Sequence, residues 1–528
     1  MAKRVAVIGA GASGLTALKC CLDEGLQPTC FERSEDIGGL WRFQECDTDW
    51  KASIYKSVTI NTSKEMMGYS DFPIPEDYPN YMHNSKVMDY FRMYTKHFDL
   101  LQYIHFKTSV LSIRKCSDFS TTGQWDVVTE TDGKQNSAIF DAILVCTGHH
   151  IDPYLPLECF PGVEKFKGKI MHSREYKYPE EFRDKRMVVV GLGNSGVDIS
   201  LDLSHTTKQV FLSTRTGAWV VNRVSDNGFP LDVVHFTRFK NMLRHIIPLY
   251  LMNRWGENKL NARFNHENYG LKPKFSKYPI VGDDLPNAIV SGRVLMKPNV
   301  KEFTDTAVIF VDGSREENID VVLFATGYNF SFPFLEENVL RVNNNRVPLY
   351  KFVFPPHLEK PTLAIIGLLQ PLGAIMPIAE LQARWATRVF KGKKNEHKSQ
   401  HITLQVQYID HVDELASLLS VKPNLLFLFL TDPKLALEVL FGPCTPAQFR
   451  LTGPGKWDGA RKSILTQRQR ILKATKTRAL KTHSENDTCL SAGLTSSPPY
   501  AILTCTCSLY TWTLKMVIST FSPLHCSC

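Results

Sequence analysis

Short apolar runs rich in β-branched residues alternate along this chain with stretches of helical spacing. That is the pattern of parallel strands buried on both faces and joined through helices. Residues 5–8 form such a run, followed by a helix-like stretch and a second run at 28–31. The same order returns at 188–190 and 210–213. Two further runs share a template of their own, an acid, a strand and a terminal Thr-Gly: Asp141 to Gly148 and Asp320 to Gly327. Another strand is predicted at 362–367 and helices at 379–391 and 408–420. Residues 423–430 are apolar but too few to cross a bilayer, and are expected to be buried or interfacial.

The glycines between these elements carry the chemistry. Gly9-Ala10-Gly11-Ala12-Ser13-Gly14 follows the first run, and Gly191-Leu192-Gly193-Asn194-Ser195-Gly196 follows its counterpart. In a strand–turn–helix unit of this spacing the first glycine makes the tight turn and the second lets backbone approach a pyrophosphate. The third lets the helix pack close to the strand, with its N-terminal amides facing the phosphates. Two such units, both correctly flanked, imply two dinucleotides and electron transfer between them.

The residue closing the next strand separates the two sites. At equal spacing from the third glycine stand Glu32 in one unit and Thr214 in the other, with Arg215 next. An acid accepts hydrogen bonds from ribose hydroxyls, whereas a hydroxyl and a guanidinium suit a ribose carrying a 2′-phosphate. The first site is therefore assigned to FAD and the second to NADPH.

Composition narrows this picture only modestly. A chain of 528 residues is expected to form two to four domains, and a net charge of +9 without basic runs interleaved with aromatics gives no reason to expect a nucleic-acid partner. The first strand begins too early to leave room for a signal peptide, which points to a cytosol-facing body with reduced thiols. No CxxC lies near the flavin motif, against a dithiol–disulfide reductase. Five of the 13 cysteines (Cys489, Cys505, Cys507, Cys526 and Cys528) crowd the tail without histidines at ligand spacing, so no metal is expected.

The expected fold class is α/β, with two Rossmann-like dinucleotide-binding domains and a C-terminal helical, membrane-associating region. Residues 1–154 would form the first part of an FAD domain, and 155–325 an inserted NADPH domain. Residues 326–445 would resume the FAD domain and shape a substrate channel, leaving 446–528 as a C-terminal segment with a basic stretch at 462–481 and an atypical tail. The uncharged run at 501–514 is a poor transmembrane helix.

Between the two fingerprints, Phe166, Gly168, His172 and Tyr176 make up a motif that resembles the FxGxxxHxxxY signature of the flavin-containing monooxygenases. Gly38-Gly39-Leu40-Trp41, Phe324-Ala325-Thr326-Gly327-Tyr328 and Gly453-Pro454-Gly455-Lys456-Trp457 extend the resemblance over about residues 1–480. It is strongest toward the vertebrate N-oxide-forming branch. The resemblance implies that NADPH reduces FAD, that O2 adds to the reduced flavin as a hydroperoxide, and that a tertiary amine or sulfide takes one oxygen atom. It implies FAD contacts at Gly9 through Ser13, Glu32, Leu40, Trp41, Asn61 and Thr62, and NADPH contacts at Ile60, Asn61, Ser195, Gly196, Val197 and Asp198. Asn61 is the one polar side chain expected beside the reactive flavin. His172 is expected to fix the linker through hydrogen bonds. Baeyer–Villiger oxygenation of ketones and an uncoupled NADPH oxidase remain as alternatives. The resemblance also implies the endoplasmic reticulum membrane, on its cytosolic face. The chain departs from the family in a shorter segment after Lys391 and in a Cys/Ser/Thr-rich tail where a hydrophobic anchor would stand.

Overall fold

Val5 and Val7 pack into one apolar cluster and Ala6 and Ile8 into another, on opposite faces of the same strand. This period-two alternation with both faces buried explains why strand β1 (Arg4–Ile8) reads as an unbroken apolar run. The computed structural model describes residues 2–45, 52–273, 279–392 and 405–478. Helix α1 (Ala12–Asp23) and strand β2 (Gln27–Phe31) complete the first strand–helix–strand unit, with β1 and β2 in parallel register.

β1 is the centre of a five-stranded sheet whose order is Leu363–Ile365, Ala142–Val145, β1, β2 and Ile104–His105, parallel throughout. A second parallel sheet repeats the plan in the order Val294–Lys297, Gln209–Ser213, Arg186–Val190, Val321–Phe324 and Lys169–His172. In both, the fingerprint strand lies between the strand it leads into and the strand that ends in Thr-Gly. The second sheet is drawn wholly from residues between 169 and 324, while the first is interrupted after Val145 and gains its last strand at Leu363. The chain passes between the sheets twice, and the passages pair as a short antiparallel ribbon of Asp152–Pro153 with Tyr328–Asn329.

Helix Met376–Phe390 lies along α1, and helix Tyr408–Leu418 packs on it in turn. Residues 12–23 are tied to the far end of the described chain by buried ions. Lys19 Nζ contacts Asp71 at 2.5 Å, and Arg450 Nη2 reaches Asp71 at 2.8 Å and Glu380 at 2.7 Å. Ser70 completes the cluster, donating from its backbone N to Glu380 and accepting at Oγ from Arg450 Nε.

Of the two expectations for 423–430, buried or interfacial, full burial does not hold for helix Leu425–Thr431, since Leu426 and Leu430 are 79% and 86% exposed. Its seven residues leave room for one apolar contact row, which Leu428 supplies. Among the described residues no helix is long and apolar enough to cross a membrane. The uncharged run at 501–514, the tail cysteines and most of the short segment after Lys391 lie outside the described residues.

Candidate active site

The two glycine turns are built alike. Gly9 and Gly191 adopt φ of +100° and +119°, which a side chain would strain, and each packs under the carbonyl that precedes its Thr-Gly exit (Cys146 and Ala325). A Cβ on Gly14 or Gly196 would be driven into the carbonyl oxygen of Gly9 or Gly191, so both helices approach their strands as closely as backbone allows. The N-caps of α1 and of helix Asn194–Leu203 are Gly11 and Gly193, and no side chain caps either helix. Amides at these ends therefore lack the partner a capping side chain would supply, and they are suited to receive phosphate oxygens.

The middle glycines differ. A Cβ on Gly11 would touch Gly39 Cα at 3.5 Å, because the short turn Gly39–Trp41, which carries Leu40 and Trp41, crosses over it. A Cβ on Gly193 would meet nothing within 4 Å. The first turn is roofed by protein and the second is open.

Glu32 is buried, with Oε2 accepting from Ala10 N at 2.8 Å and Oε1 from Ser34 N at 2.9 Å. Ala10 N is thus already engaged and is not among the free amides of the turn. Each carboxylate oxygen keeps a lone pair for a ribose hydroxyl. At the other turn, Thr214 Oγ1 accepts from Gly217 N at 3.1 Å and Arg215 is exposed at the end of its strand. Ile60 and Val197 are buried in the core, so any contact with a cofactor comes from their backbone. Asp198 turns away from the phosphate turn and accepts from Tyr55 OH at 3.0 Å; burial raises its carboxyl to about 6. It borders a cleft of about 310 Å³ together with Tyr55, Asp202 and Arg223.

Asn61 and buried Thr62 precede the short helix Lys64–Met67, where the first half meets the excursion between strands 209–213 and 294–297 of the second. Arg223 donates from Nη2 to Asn61 Oδ1 at 2.7 Å. Asp232 accepts from Ser63 N at 2.7 Å, and its burial raises the carboxyl to about 6. Neither residue carries a sequence motif, so the contacts that bring them to Asn61 were not readable from spacing.

The signature residues form a brace. Phe166 and Tyr176 are buried, and Tyr176 OH donates to Asp202 at 2.8 Å. His172 is 2% exposed, with Nε2 donating to Gly327 O at 3.0 Å and Nδ1 accepting from Arg174 N at 3.2 Å. Both nitrogens are engaged in one neutral tautomer, and burial lowers the imidazole to about 4. His172 also packs edge-on against Tyr328 in the ribbon between the sheets.

Two phosphate turns, one closed by an acid and the other by a hydroxyl and a guanidinium, define a two-dinucleotide flavoprotein oxidoreductase. A family model described as flavin-binding monooxygenase-like matches residues 2–502, and the chain belongs to that family. It is 61% identical over 506 residues to flavin-containing monooxygenase 5 of Rattus norvegicus, covering 91% of this chain and 95% of the relative. It is 56% identical over 508 residues to dimethylaniline monooxygenase [N-oxide-forming] 2 of Macaca mulatta, covering 92% and 95%. Among solved structures, S-allyl-L-cysteine S-oxygenase from Allium sativum superposes with a TM-score of 0.61 over 90% of this chain and 99% of that one, at 24% identity, a likeness of fold. The protein is a flavin monooxygenase, with FAD and NADPH as its cofactors.

Proposed function

We propose that this monooxygenase transfers one oxygen atom from O2 to a soft nucleophilic nitrogen or sulfur of small molecules, tertiary amines and sulfides above all. The 56%-identical relative named for forming the N-oxide of dimethylaniline supports the nitrogen reading. The geometry that supports it best is Asn61: a neutral amide, half-buried at the meeting of the two halves, to which, among the described residues, no titratable side chain but Arg223 is hydrogen-bonded.

In this reading the amides after Gly11 hold the FAD pyrophosphate, Glu32 its ribose, and the Gly39–Trp41 turn covers it. Ser195 and Gly196 hold the NADPH pyrophosphate, and Thr214 and Arg215 its 2′-phosphate. Bound FAD supplies the redox and oxygen chemistry. The chain's own part is to place the nicotinamide half against the flavin half, to exclude water, and to offer the Asn61 amide where charge develops. Incubation with NADPH, 18O2 and either N,N-dimethylaniline, a dialkyl sulfide or a ketone tests this. One 18O in the N-oxide or sulfoxide supports it. Labelled ester alone, or peroxide equal to NADPH consumed, overturns it.

We further propose that the protein works on the cytosolic face of the endoplasmic reticulum membrane. Ile246, Leu249, Tyr250, Leu426 and Leu430 are each more than two-thirds exposed, and they lie on helices Arg238–Ile246, Leu249–Asn261 and Leu425–Thr431. Phe239 of the first stacks near Phe441 of the helix that follows Leu425–Thr431, and exposed Arg461, Lys462 and Arg468 suit anionic headgroups. Vesicle co-sedimentation of the full chain tests it, with Leu426→Glu/Leu430→Glu expected to lower the bound fraction. Equal sedimentation of the variant and the wild type would overturn this role for the helices.

A further inference from the structure

Arg223 is held at four points. Its backbone N donates to Asp283 Oδ1 at 2.8 Å, its carbonyl accepts from Tyr81 OH at 2.6 Å, and its guanidinium pairs with Asp283 through Nη1. The fourth point is Asn61, reached by Nη2 at 2.7 Å. Tyr81 OH also accepts from Leu231 N at 3.2 Å, next to the Asp232 that holds Ser63 N. The excursion of the second half thus grips the Asn61 turn twice, at the Asn61 side chain and at the Ser63 backbone.

This grip decides which end of the amide faces where. A guanidinium only donates, so the Asn61 atom facing Arg223 must be the oxygen. The NH2 group then points away from Arg223, and among the described residues it donates to nothing. A free asparagine amide is ambiguous, since a flip exchanges donor for acceptor. With Arg223 in place, that flip would set two donors against each other and leave the guanidinium of a part-buried residue with an unused N–H.

We propose that Arg223 is a positioning residue: by fixing Asn61 Oδ1 toward the nicotinamide half, it presents the Asn61 NH2 as an obligate donor to the oxygen-bearing edge of bound flavin. Asp283 serves this by holding the guanidinium plane. Because Arg223 belongs to the half that carries the NADPH turn, the donor is oriented only while the two halves are closed on one another. The inference rests on the reading of Asn61 given above.

The test compares Arg223→Met, Arg223→Lys and Asn61→Asp in the FAD-loaded full chain. Coupling is read as peroxide released per NADPH consumed, alongside flavin content, thermal unfolding and the NADP+ dissociation constant of the oxidised protein. Arg223→Met removes the donors at similar length. It is expected to raise peroxide release at least fivefold, with flavin content unchanged and NADP+ affinity within threefold. Arg223→Lys, which keeps one charged donor, recovers part of the coupling. Asn61→Asp keeps an acceptor for Arg223 but cannot donate, and is expected to uncouple fully. If Asn61→Asp uncouples while Arg223→Met stays coupled, the positioning role falls and the Asn61 reading stands. If Asn61→Asp stays coupled, that reading falls and the inference with it. Loss of FAD or NADP+ binding in Arg223→Met, unrecovered by Arg223→Lys, would make Arg223 a structural residue and overturn the proposal.

Discussion

Replacing Gly193 with alanine separates folding from cofactor binding more cleanly than any other single change in the site. Gly193 has φ −103° and ψ −178°, extended backbone that alanine adopts freely, and its added Cβ meets no protein atom within 4 Å. Alanine narrows the unfolded ensemble, a gain that its poorer fit at a helix N-cap offsets. Stability should therefore change by less than about 0.5 kcal/mol. The methyl group nevertheless stands over the uncapped amides of helix Asn194–Leu203. Displacing a pyrophosphate from two charge-assisted hydrogen bonds costs about 3 kcal/mol, or roughly 100-fold in affinity. Thermal unfolding together with NADP+ titration of the oxidised protein checks both numbers, and the flavin spectrum checks the other site. The expected result is an unshifted melting temperature, full FAD content and a dissociation constant raised about two orders of magnitude. Gly196→Ala is the contrast, because its Cβ collides with the Gly191 carbonyl and should lower stability by ~1–3 kcal/mol as well. Wild-type NADP+ affinity in Gly193→Ala, or loss of FAD rather than NADP+, would refute the assignment of the two turns.

Three more changes test other parts of the structure. Arg215→Glu should raise the NADPH KM by about 10-fold or more and leave the NADH KM nearly unchanged, because only the former carries a 2′-phosphate; steady-state kinetics with both nucleotides decide it. Arg450→Met leaves Glu380 buried without its cation and Asp71 with Lys19 alone, and should cost about 3–5 kcal/mol in thermal or denaturant unfolding. Burial holds His172 at about 4, below the 6.5 of an exposed imidazole, so between these values the unfolded chain binds a proton that the folded chain refuses, and stability falls as pH drops. Its share reaches about 3 kcal/mol near pH 4. Asp198 and Asp232, both raised to about 6, act in the opposite sense, so the check is differential: His172→Asn should reduce proton uptake on unfolding near pH 5 by close to one.

What was readable in the chain follows from how local each requirement is. The turns at Gly9 and Gly191 need a positive φ and no Cβ, conditions met within a few residues, so spacing alone located them. The strands around them are buried on both faces and reveal themselves by β-branched runs. Glu32 and Thr214 were found because a strand of fixed length carries the chain from the glycine turn to the ribose. Arg223, Asp232 and Asp283 are different. They reach the Asn61 turn from an excursion of the second half, and only tertiary packing brings the two stretches together. The resemblance places Ala10 among the FAD contacts; its amide serves the Glu32 carboxylate, a contact across the unit that no pattern of residue types announces. Helix Leu425–Thr431 is a related case: an apolar run of that length predicts burial or an interface without choosing between them, and only tertiary packing leaves Leu426 and Leu430 exposed.

The interruption of the first sheet has a consequence for the order in which the chain can assemble during synthesis. The second sheet owns all its strands once residue 324 has been made, whereas the first must wait for Leu363–Ile365 to close its edge. The ion cluster on α1 waits longer still, for Arg450. A nascent chain therefore carries a finished guest inside an unfinished host, with the apolar edge of Ala142–Val145 unpaired and, once it is made, the carboxylate of Glu380 waiting for its cation. Chains broken off between these points should be cleared by quality control as insoluble host around a soluble insert.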